Sequence, residues 1–382
     1  MAAGGDALAR DDDGLVVFVR DALPDELVEV DIIERRRDYA RAVVRSVLEP
    51  SDDRIAPPCP QVAAGCGGCG WQHVAVEAQH RLKEAIVLDA LARIGHVRQP
   101  PTPTTVVLPA TAYRTTAHVA VTADGAAAFH EPRGHRLVPA TGCLVAHPLL
   151  ADLIDNAVLD ASAATFRVSA ATGQRAARVE GGTRAGRRLP PDVVVGGAVT
   201  EVVSGRPFQV SIRSFFQAGP AAAAALGDAV DAAVGDALGD GGALVDLYAG
   251  VGLFASVVGH RHGVPVEAVE VSRFAAGDAR VNLADLDAIV VHGEVNAWRG
   301  PRASASAVVA DPARSGLGRP GVAAVVRAGA DRLALVSCDP ASLARDTGLL
   351  AEEGFTLASV QLVDAFPQTP HVEVVSRFER NA

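Results

Sequence analysis

The chain has 382 residues and a formal net charge of −10, so it is long enough for two or three domains and is not a generally basic nucleic-acid-binding protein. Hydrophobic residues make up 49% of it and aromatic residues 4%, which predicts a globular protein whose cores consist of Val, Leu and Ala. The first residues lack a basic start, and no apolar run reaches about 18 residues, so neither a signal peptide nor a membrane span is expected.

The acidic balance leaves room for a local basic patch that binds RNA. One arginine-rich stretch covers residues 178–188. A second candidate patch consists of Arg35, Arg36, Arg37, Arg41 and Arg45. A solvated face or loop explains each stretch at least as well as an RNA contact does.

Residues 1–52 are predicted to form a small β domain. Apolar, β-branched runs begin at Leu15, Leu27 and Tyr39, with turn residues between the first two. Repeated short strands with turns are typical of a small barrel. Little chain precedes the stretch GGDALAR, so we expect a clipped first strand and a start codon upstream.

Residues 53–216 are predicted to form a central domain that carries four of the five cysteines. A Pro-rich linker over residues 50–60 leads into the first cysteine. Residues 74–95 have helical spacing and end at Gly95, whereas residues 104–215 alternate short strands with Gly and Pro turns. A mixed or mainly β domain is therefore expected.

Residues 217–382 are predicted to form a third domain of class α/β. A helix at residues 221–238 is followed, from Ala243 onward, by short apolar strands that alternate with helical segments. This alternation predicts a doubly wound, Rossmann-like sheet of mostly parallel strands. Ligands of such sheets bind at the carboxyl ends of the strands.

A glycine turn follows the first strand of this domain. Asp246 lies near the strand end, and Gly250 and Gly252 open the turn into a helix. Glu270 ends the next strand, where an acidic residue can bind ribose hydroxyls. A third glycine and a phosphate-binding lysine are both lacking, so a nucleoside without phosphates, such as S-adenosylmethionine, fits best. A plain strand–turn–helix junction is the alternative.

Two later strand ends carry polar side chains. Asp311 and Arg314 follow one of them, beside the same predicted crevice, although the motif taken by itself favours an ordinary polar loop. Cys338 ends the next strand, just before a helix that is predicted to begin at Pro340. A thiol at a helix N-terminus has a lowered pKa, which is how a cysteine nucleophile is made. An inert core cysteine is the alternative.

The closing strand supplies two candidate general bases. Glu373 is predicted to lie in this strand, and His371, two residues earlier, is predicted to share its face. Either side chain can act as a base if it faces Cys338. A solvated edge-strand glutamate is the alternative.

The four remaining cysteines suggest a metal site. Four thiolates can hold zinc or an iron–sulfur centre, and their spacing leaves both open. The proposed ligands are Cys59, Cys66, Cys69 and Cys143. Because the disulfide pattern of small secreted proteins does not fit a chain this long, a cytoplasmic location is expected.

Together these motifs resemble the RNA uracil-5-methyltransferase family, which makes 5-methyluridine in tRNA and 23S rRNA. The N-terminal segment is similar to the family's TRAM domain, an OB-like RNA-binding barrel. The stretch CGGCGWQH with Cys143 resembles the four-iron (4Fe-4S) cluster site of the rRNA members, and FFQAGP resembles the donor-binding segment. The stretches VSCDPASLARD and FPQTPHVE resemble the nucleophile and general-base motifs.

The resemblance implies a role for each site residue. Cys338 would attack C6 of a uracil, C5 would take the methyl group of S-adenosylmethionine, and Glu373 would remove the C5 proton. The residues implied to hold the donor or the base are Gln217, Tyr248, Gly250, Gly252, Glu270 and Asp311. The cysteine cluster would be structural, and a monomer that acts on structured RNA, 23S rRNA rather than tRNA, is expected. A vestigial, non-catalytic RNA-binding factor is the alternative from another class.

The chain departs from the family pattern at four positions. Asp339 follows the nucleophile, where family members often have Asn. Leu253 and Gly219 also replace family asparagines, and Ala313 replaces a proline. None of these changes removes a catalytic group.

Overall fold

The structure is a computed structural model that describes residues 1–181, 188–239 and 242–380. The predicted basic stretch at 178–188 therefore lies largely outside the described residues. Among the helices described, none has the length and apolar character needed to cross a bilayer.

The N-terminal segment is a four-stranded sheet with the order β1-β2-β4-β3. Its core is small and is formed by Val17, Val19 and alanines. The three predicted strands are confirmed, and a short strand, β1, stands where a clipped one was expected. The strands are β1 Ala7–Arg10, β2 Val16–Arg20, β3 Leu27–Arg35 and β4 Tyr39–Glu49.

The arginine patch of this sheet is largely neutralised. Four of its five guanidinium groups lie within 4 Å of a carboxylate, and Arg37 makes no ion pair with a described residue. Exposed ion pairs of this kind contribute little to the stability of the fold, but they neutralise the local positive charge. The pairs are Arg35–Asp11, Arg36–Glu34, Arg41–Asp6 and Arg45–Asp31.

The central region is mainly β, as predicted. A six-stranded sheet has the order β11-β10-β9-β6-β7-β8, and β12 and β13 form a separate hairpin. The helices are α1 Pro60–Ala63, α2 Val76–Arg93 and α3 Pro148–Asn156. The strands are β5 Thr104–Val106, β6 Thr116–Val121, β7 Ala127–His130, β8 Leu137–Pro139, β9 Ala163–Val168, β10 Arg175–Glu180, β11 Val193–Val195, β12 Ala198–Val203 and β13 Arg206–Ser211.

The C-terminal region is a doubly wound eight-stranded sheet, as predicted. Its order is β16-β15-β14-β17-β18-β20-β19-β5, and the strands from β16 to β18 are parallel. The helices are α4 Pro220–Val234, α5 Leu253–His262, α6 Arg273–Asn282, α7 Gly318–Ala328 and α8 Pro340–Glu352. The strands are β14 Ala243–Leu247, β15 Val266–Glu270, β16 Ala288–His292, β17 Ala305–Ala310, β18 Arg332–Ser337, β19 Phe355–Val363 and β20 Glu373–Arg380.

Two apolar clusters cover the two faces of this sheet. Along β14, Leu244 belongs to one cluster, and Val245 and Leu247 belong to the other. Side chains that alternate between two buried faces explain why the strands read as continuous apolar runs. The strand order reverses between β14 and β17, which is where such sheets form a ligand crevice.

Part of the predicted central domain completes this C-terminal sheet. β5 pairs in parallel with β19, and α2 packs against α8 through a core that includes Val87 and Leu91. Residues 76–106 thus contribute to the third domain ahead of the central sheet. The boundaries 1–52, 53–216 and 217–382 stay predictions.

Candidate active site

The pairing of β18 with β20 brings the two predicted catalytic residues together. In this antiparallel pair Ser337 lies opposite Val374. Cys338 follows Ser337 and Glu373 precedes Val374, so the next two residues lie opposite each other at the strand end. The negative charge of Glu373 contributes to the raised pKa of the Cys338 thiol, so the two side chains lie near each other.

The Cys338 thiol does not have the lowered pKa that the sequence predicted. Burial, together with the carboxylates of Glu373 and Asp311, raises its pKa to about 11. The positive end of α8 is occupied by the N-cap residue Asp339, whose carboxylate accepts a hydrogen bond from the amide of Ser342 at 2.8 Å. The free protein therefore holds Cys338 as a thiol rather than a thiolate at neutral pH.

Glu373 is the better placed of the two candidate bases. Its side chain is buried, and burial, together with the charge of Asp311, raises its pKa well above the usual value. His371 lies before β20 begins, on the surface, with its ring edge-on to Phe366. The prediction that Glu373 and His371 share one face of a strand is therefore wrong, because the strand begins at Glu373 and His371 lies outside it.

The glycine turn after β14 has a left-handed backbone at three positions. Gly252 has a φ of 83° and Gly250 one of 56°, and Tyr248 between the strand and the turn has a φ of 63°. The Glu270 carboxylate accepts hydrogen bonds from the amides of Gly250 at 2.8 Å and Ser272 at 2.6 Å. Each carboxylate oxygen can accept a second bond, so Glu270 can still bind a ribose hydroxyl.

Two buried oxygens, one at the end of β14 and one ahead of α4, have no hydrogen-bond partner among the described residues. They are Oδ1 of Asp246 and Oε1 of Gln217. The other oxygen of Asp246 accepts a bond from the amide of Ala255 at 2.9 Å. Because buried polar atoms are almost always bonded, these two oxygens are free to accept hydrogen bonds from a ligand or from water. Sequence reasoning noted Asp246 in the motif but left it out of the site.

The crevice is strongly acidic. Burial raises the pKa of Asp246 to about 8 and that of Asp311 to about 7, and Glu270 lies near enough to add to the shift of Asp246. The amide of Asp311 donates to the carbonyl of Leu247 at 3.3 Å, so the ends of β14 and β17 meet here. Crowded, desolvated carboxylates favour a ligand that carries positive charge.

Gly219 has a local physical reason for being glycine. A Cβ atom at this position would lie 2.1 Å from the carbonyl oxygen of Tyr113. The close approach of these two backbones fixes the entry into α4, which begins at Pro220, shortly after Gln217. An asparagine, as in the resembling family, cannot fit this arrangement.

Two buried carboxylates that sequence reasoning missed hold the loops of the site. Asp278 on α6 accepts hydrogen bonds from Ser211 and Ser214, which fixes the segment that leads to Gln217. Asp346 on α8 accepts bonds from the amides of residues 317 and 318, which fixes the loop after Asp311. A carboxylate in a helix is usually exposed to solvent, so nothing in the sequence indicates that Asp278 and Asp346 hold these loops.

The four remaining cysteines line one cavity, together with Arg114 and Phe129. The thiols of Cys66 and Cys69 each interact with that of Cys143, and burial raises the pKa of Cys69 to about 11. Soft thiol donors around a shared apolar cavity suit zinc or an iron–sulfur cluster. Within the described ranges, however, no three Cys, His, Asp or Glu side chains close around a common metal position.

Comparison with known proteins gives three results. The TRAM domain matches residues 3–44. An uncharacterized RNA methyltransferase of Streptomyces avermitilis is 35% identical, with 99% of this chain and 96% of the relative covered, and one of Corynebacterium efficiens is 33% identical, with 100% and 93% covered. The crystal structure of Pyrococcus abyssi tRNA (uracil-54, C5)-methyltransferase in complex with S-adenosyl-L-homocysteine has the same fold, with a TM-score of 0.76 and 20% identity over 98% of this chain and 99% of that one.

The raised pKa of Asp246 predicts a pH-dependent stability. Because its folded pKa of about 8 lies above the ordinary value of 3.8, the free energy of unfolding falls as the pH rises between these two values. Asp246→Asn carries no charge and loses this component. Urea unfolding at about pH 5 and about pH 8 should show the variant gaining more than about 1 kcal/mol on wild type at the higher pH. An unchanged difference between the two proteins would contradict the assignment.

Proposed function

The chain belongs to the RNA methyltransferase family of these relatives, and we propose that it transfers a methyl group from S-adenosylmethionine to C5 of a uridine in structured RNA. The observation that carries the proposal is the position of Cys338 opposite Glu373 at the end of the β18–β20 pair. A nucleophile and a base at this position adjoin a crevice that favours a cationic ligand, and the donor is a sulfonium cation.

Cys338 supplies the nucleophile. C5 of a uracil reacts poorly with a methyl donor until a thiolate adds to C6, which places electron density on C5. The Cys338 thiol loses its proton as its sulfur bonds to C6. We assign that proton to Asp311, because its charge raises the pKa of Cys338 and it therefore lies near the thiol. C5 then takes the methyl group, and the donor leaves as a neutral thioether.

Glu373 completes the reaction. It removes the proton from C5, the bond between C6 and sulfur breaks, and Cys338 is restored. A carboxylate whose pKa is raised by burial is a stronger base once ionised, which suits proton removal from carbon. Turnover of Glu373→Gln is therefore slowed by a factor on the order of 10²–10⁴.

The crevice residues bind the donor and the base. Gln217 and Asp246 offer the unpartnered oxygens, and Gly250 and Gly252 let the backbone approach the donor closely. Tyr248, Glu270 and Asp311 complete the set. The target uridine has to leave its stack to reach Cys338, so single-stranded or flipped bases are the substrate.

RNA that contains 5-fluorouridine tests the proposal. The fluorine at C5 cannot be removed as a proton, so the covalent complex with Cys338 persists in a denaturing gel. Wild-type protein with S-adenosylmethionine should form this complex, Cys338→Ser should not, and Glu373→Gln should form it as wild type does. A complex with Cys338→Ser, or none with wild type, would refute the nucleophile.

We propose 23S rRNA as the target, because the four cysteines resemble those of the rRNA members. The T loop of tRNA is the alternative, and the fold shared with a tRNA (uracil-54, C5)-methyltransferase favours it. A non-catalytic RNA-binding factor is disfavoured, because it needs neither Cys338 nor Glu373. Donor binding measured by calorimetry separates that factor from an enzyme.

We propose further that the four cysteines of the cavity hold a 4Fe-4S cluster with a structural role. The protein supplies four soft ligands and an apolar surround, and the thiols lose their protons on binding. Anaerobic purification should give a brown protein with visible absorbance that Cys66→Ser loses. A colourless protein with bound zinc would favour the zinc alternative, and a protein without either metal would refute the site.

A further inference from the structure

We propose that Gln79 and Lys83, one helical turn apart on α2, are positioning residues for Glu373. They act through the base loop, which we define as residues 364–372 between β19 and β20. This inference rests on the proposed function, because it concerns the step that Glu373 performs.

The base loop leads directly into Glu373. In the β19–β20 pair Val363 lies opposite Glu373, so the whole base loop lies outside the strand ladder. Strand pairing therefore fixes the backbone from Glu373 onward, but it does not fix the residues that precede Glu373. Contacts to the base loop fix those residues.

Gln79 makes hydrogen bonds with the middle of the base loop. Its side chain is fully buried, and its Oε1 accepts a hydrogen bond from the amide of Gln368 at 2.8 Å. Its Nε2 donates to Oε1 of Gln368 at 3.2 Å and to the carbonyls of Trp71 at 3.2 Å and Val74 at 2.9 Å. The amide of Trp71 donates in turn to the carbonyl of Gln368 at 2.9 Å.

Lys83 holds the start of the base loop. It is the only lysine of the chain, and its side chain is fully buried. Its ammonium group donates to Oδ1 of Asp364 at 2.6 Å and to the carbonyl of Phe366 at 3.1 Å, while His80 contacts the other oxygen of Asp364 at 3.0 Å. A buried ion pair is weak evidence for stability, so a role in fixing geometry is the better explanation.

The backbone of the base loop has an unfavourable conformation at Gln368. Gln368 has a φ of 67°, a left-handed conformation that is uncommon outside glycine, and it is buried. Such strained conformations occur only where several surrounding contacts hold them in place, and they are common at functional sites. The hydroxyl of Tyr113 also donates to the carbonyl of Pro367 at 3.0 Å, so three successive residues of the base loop are held from outside.

The proposal predicts which step fails when the contacts are removed. A misplaced Glu373 slows proton removal from C5, but Cys338 can still add to C6 and C5 can still be methylated. A methylated, covalent RNA–protein complex should therefore accumulate on ordinary uridine RNA. A purely structural role of α2 would instead lower the formation of the covalent complex and the turnover together.

The test compares Gln79→Leu with Glu84→Gln as a matched control. Glu84 lies on the same helix, and its carboxylate accepts a hydrogen bond from the hydroxyl of Thr105 rather than from the base loop. With ordinary uridine RNA and S-adenosylmethionine, Gln79→Leu should turn over about 10–100-fold more slowly and accumulate the covalent complex. Its rate of complex formation with 5-fluorouridine RNA should equal that of wild type, and Glu84→Gln should match wild type in every assay.

Turnover and complex formation that fall in parallel, or an unchanged turnover, would overturn the positioning role. If Gln79→Leu does not fold, Lys83→Met decides in the same assays, because methionine has a similar length and lacks the ammonium group that holds Asp364 and the carbonyl of Phe366. Accumulated complex with this variant supports the proposal, and its absence refutes it. A wild-type protein that forms no complex with 5-fluorouridine RNA would refute the proposed function itself.

Discussion

The antiparallel pairing of β20 with β18 is the constraint on which the site depends. The strands from β16 to β18 are parallel, so their carboxyl ends form one edge of the sheet. Only a strand that runs in the opposite direction can bring its first residue to that edge. The register that sets Ser337 opposite Val374 therefore carries Glu373 to Cys338, and a slip by one residue would turn the Glu373 side chain to the other face.

Desolvation determines the chemistry at this edge. It raises the pKa values of Cys338, Asp246, Asp311 and Glu373 above their ordinary values. The crevice thus holds protons in the free protein, and a cationic donor would favour the ionised carboxylates. Arg314 opposes these shifts at Cys338 and Glu373.

Local patterns predicted most of the fold, whereas the choice of Glu373 as the partner of Cys338 came from the resemblance to the methyltransferase family. Apolar runs and glycine turns indicate strands and helices from nearby residues, so β14 to β18, α2 and the turn at Gly252 were predictable. The pKa of Cys338 was not, because burial and the neighbouring carboxylates are set by distant strands. The same holds for β5, which joins the C-terminal sheet, and for Asp278, Asp346, Gln79 and Lys83, whose partners lie far away in sequence. The contact of Trp71 with the base loop was not predictable either, because its partner Gln368 lies far away in sequence.

The central claim is that Cys338 and Glu373 together methylate C5 of a uridine in RNA. The most direct measurement is nucleoside mass spectrometry of rRNA and tRNA from a host strain in which the gene is deleted, beside strains that carry the wild-type gene or Cys338→Ser. We expect 5-methyluridine to disappear from 23S rRNA on deletion, to return with the wild-type gene and to stay absent with Cys338→Ser. Loss from tRNA alone would overturn the proposed target. Unchanged 5-methyluridine in both RNA fractions, or loss of a different methylated nucleoside, would contradict the account.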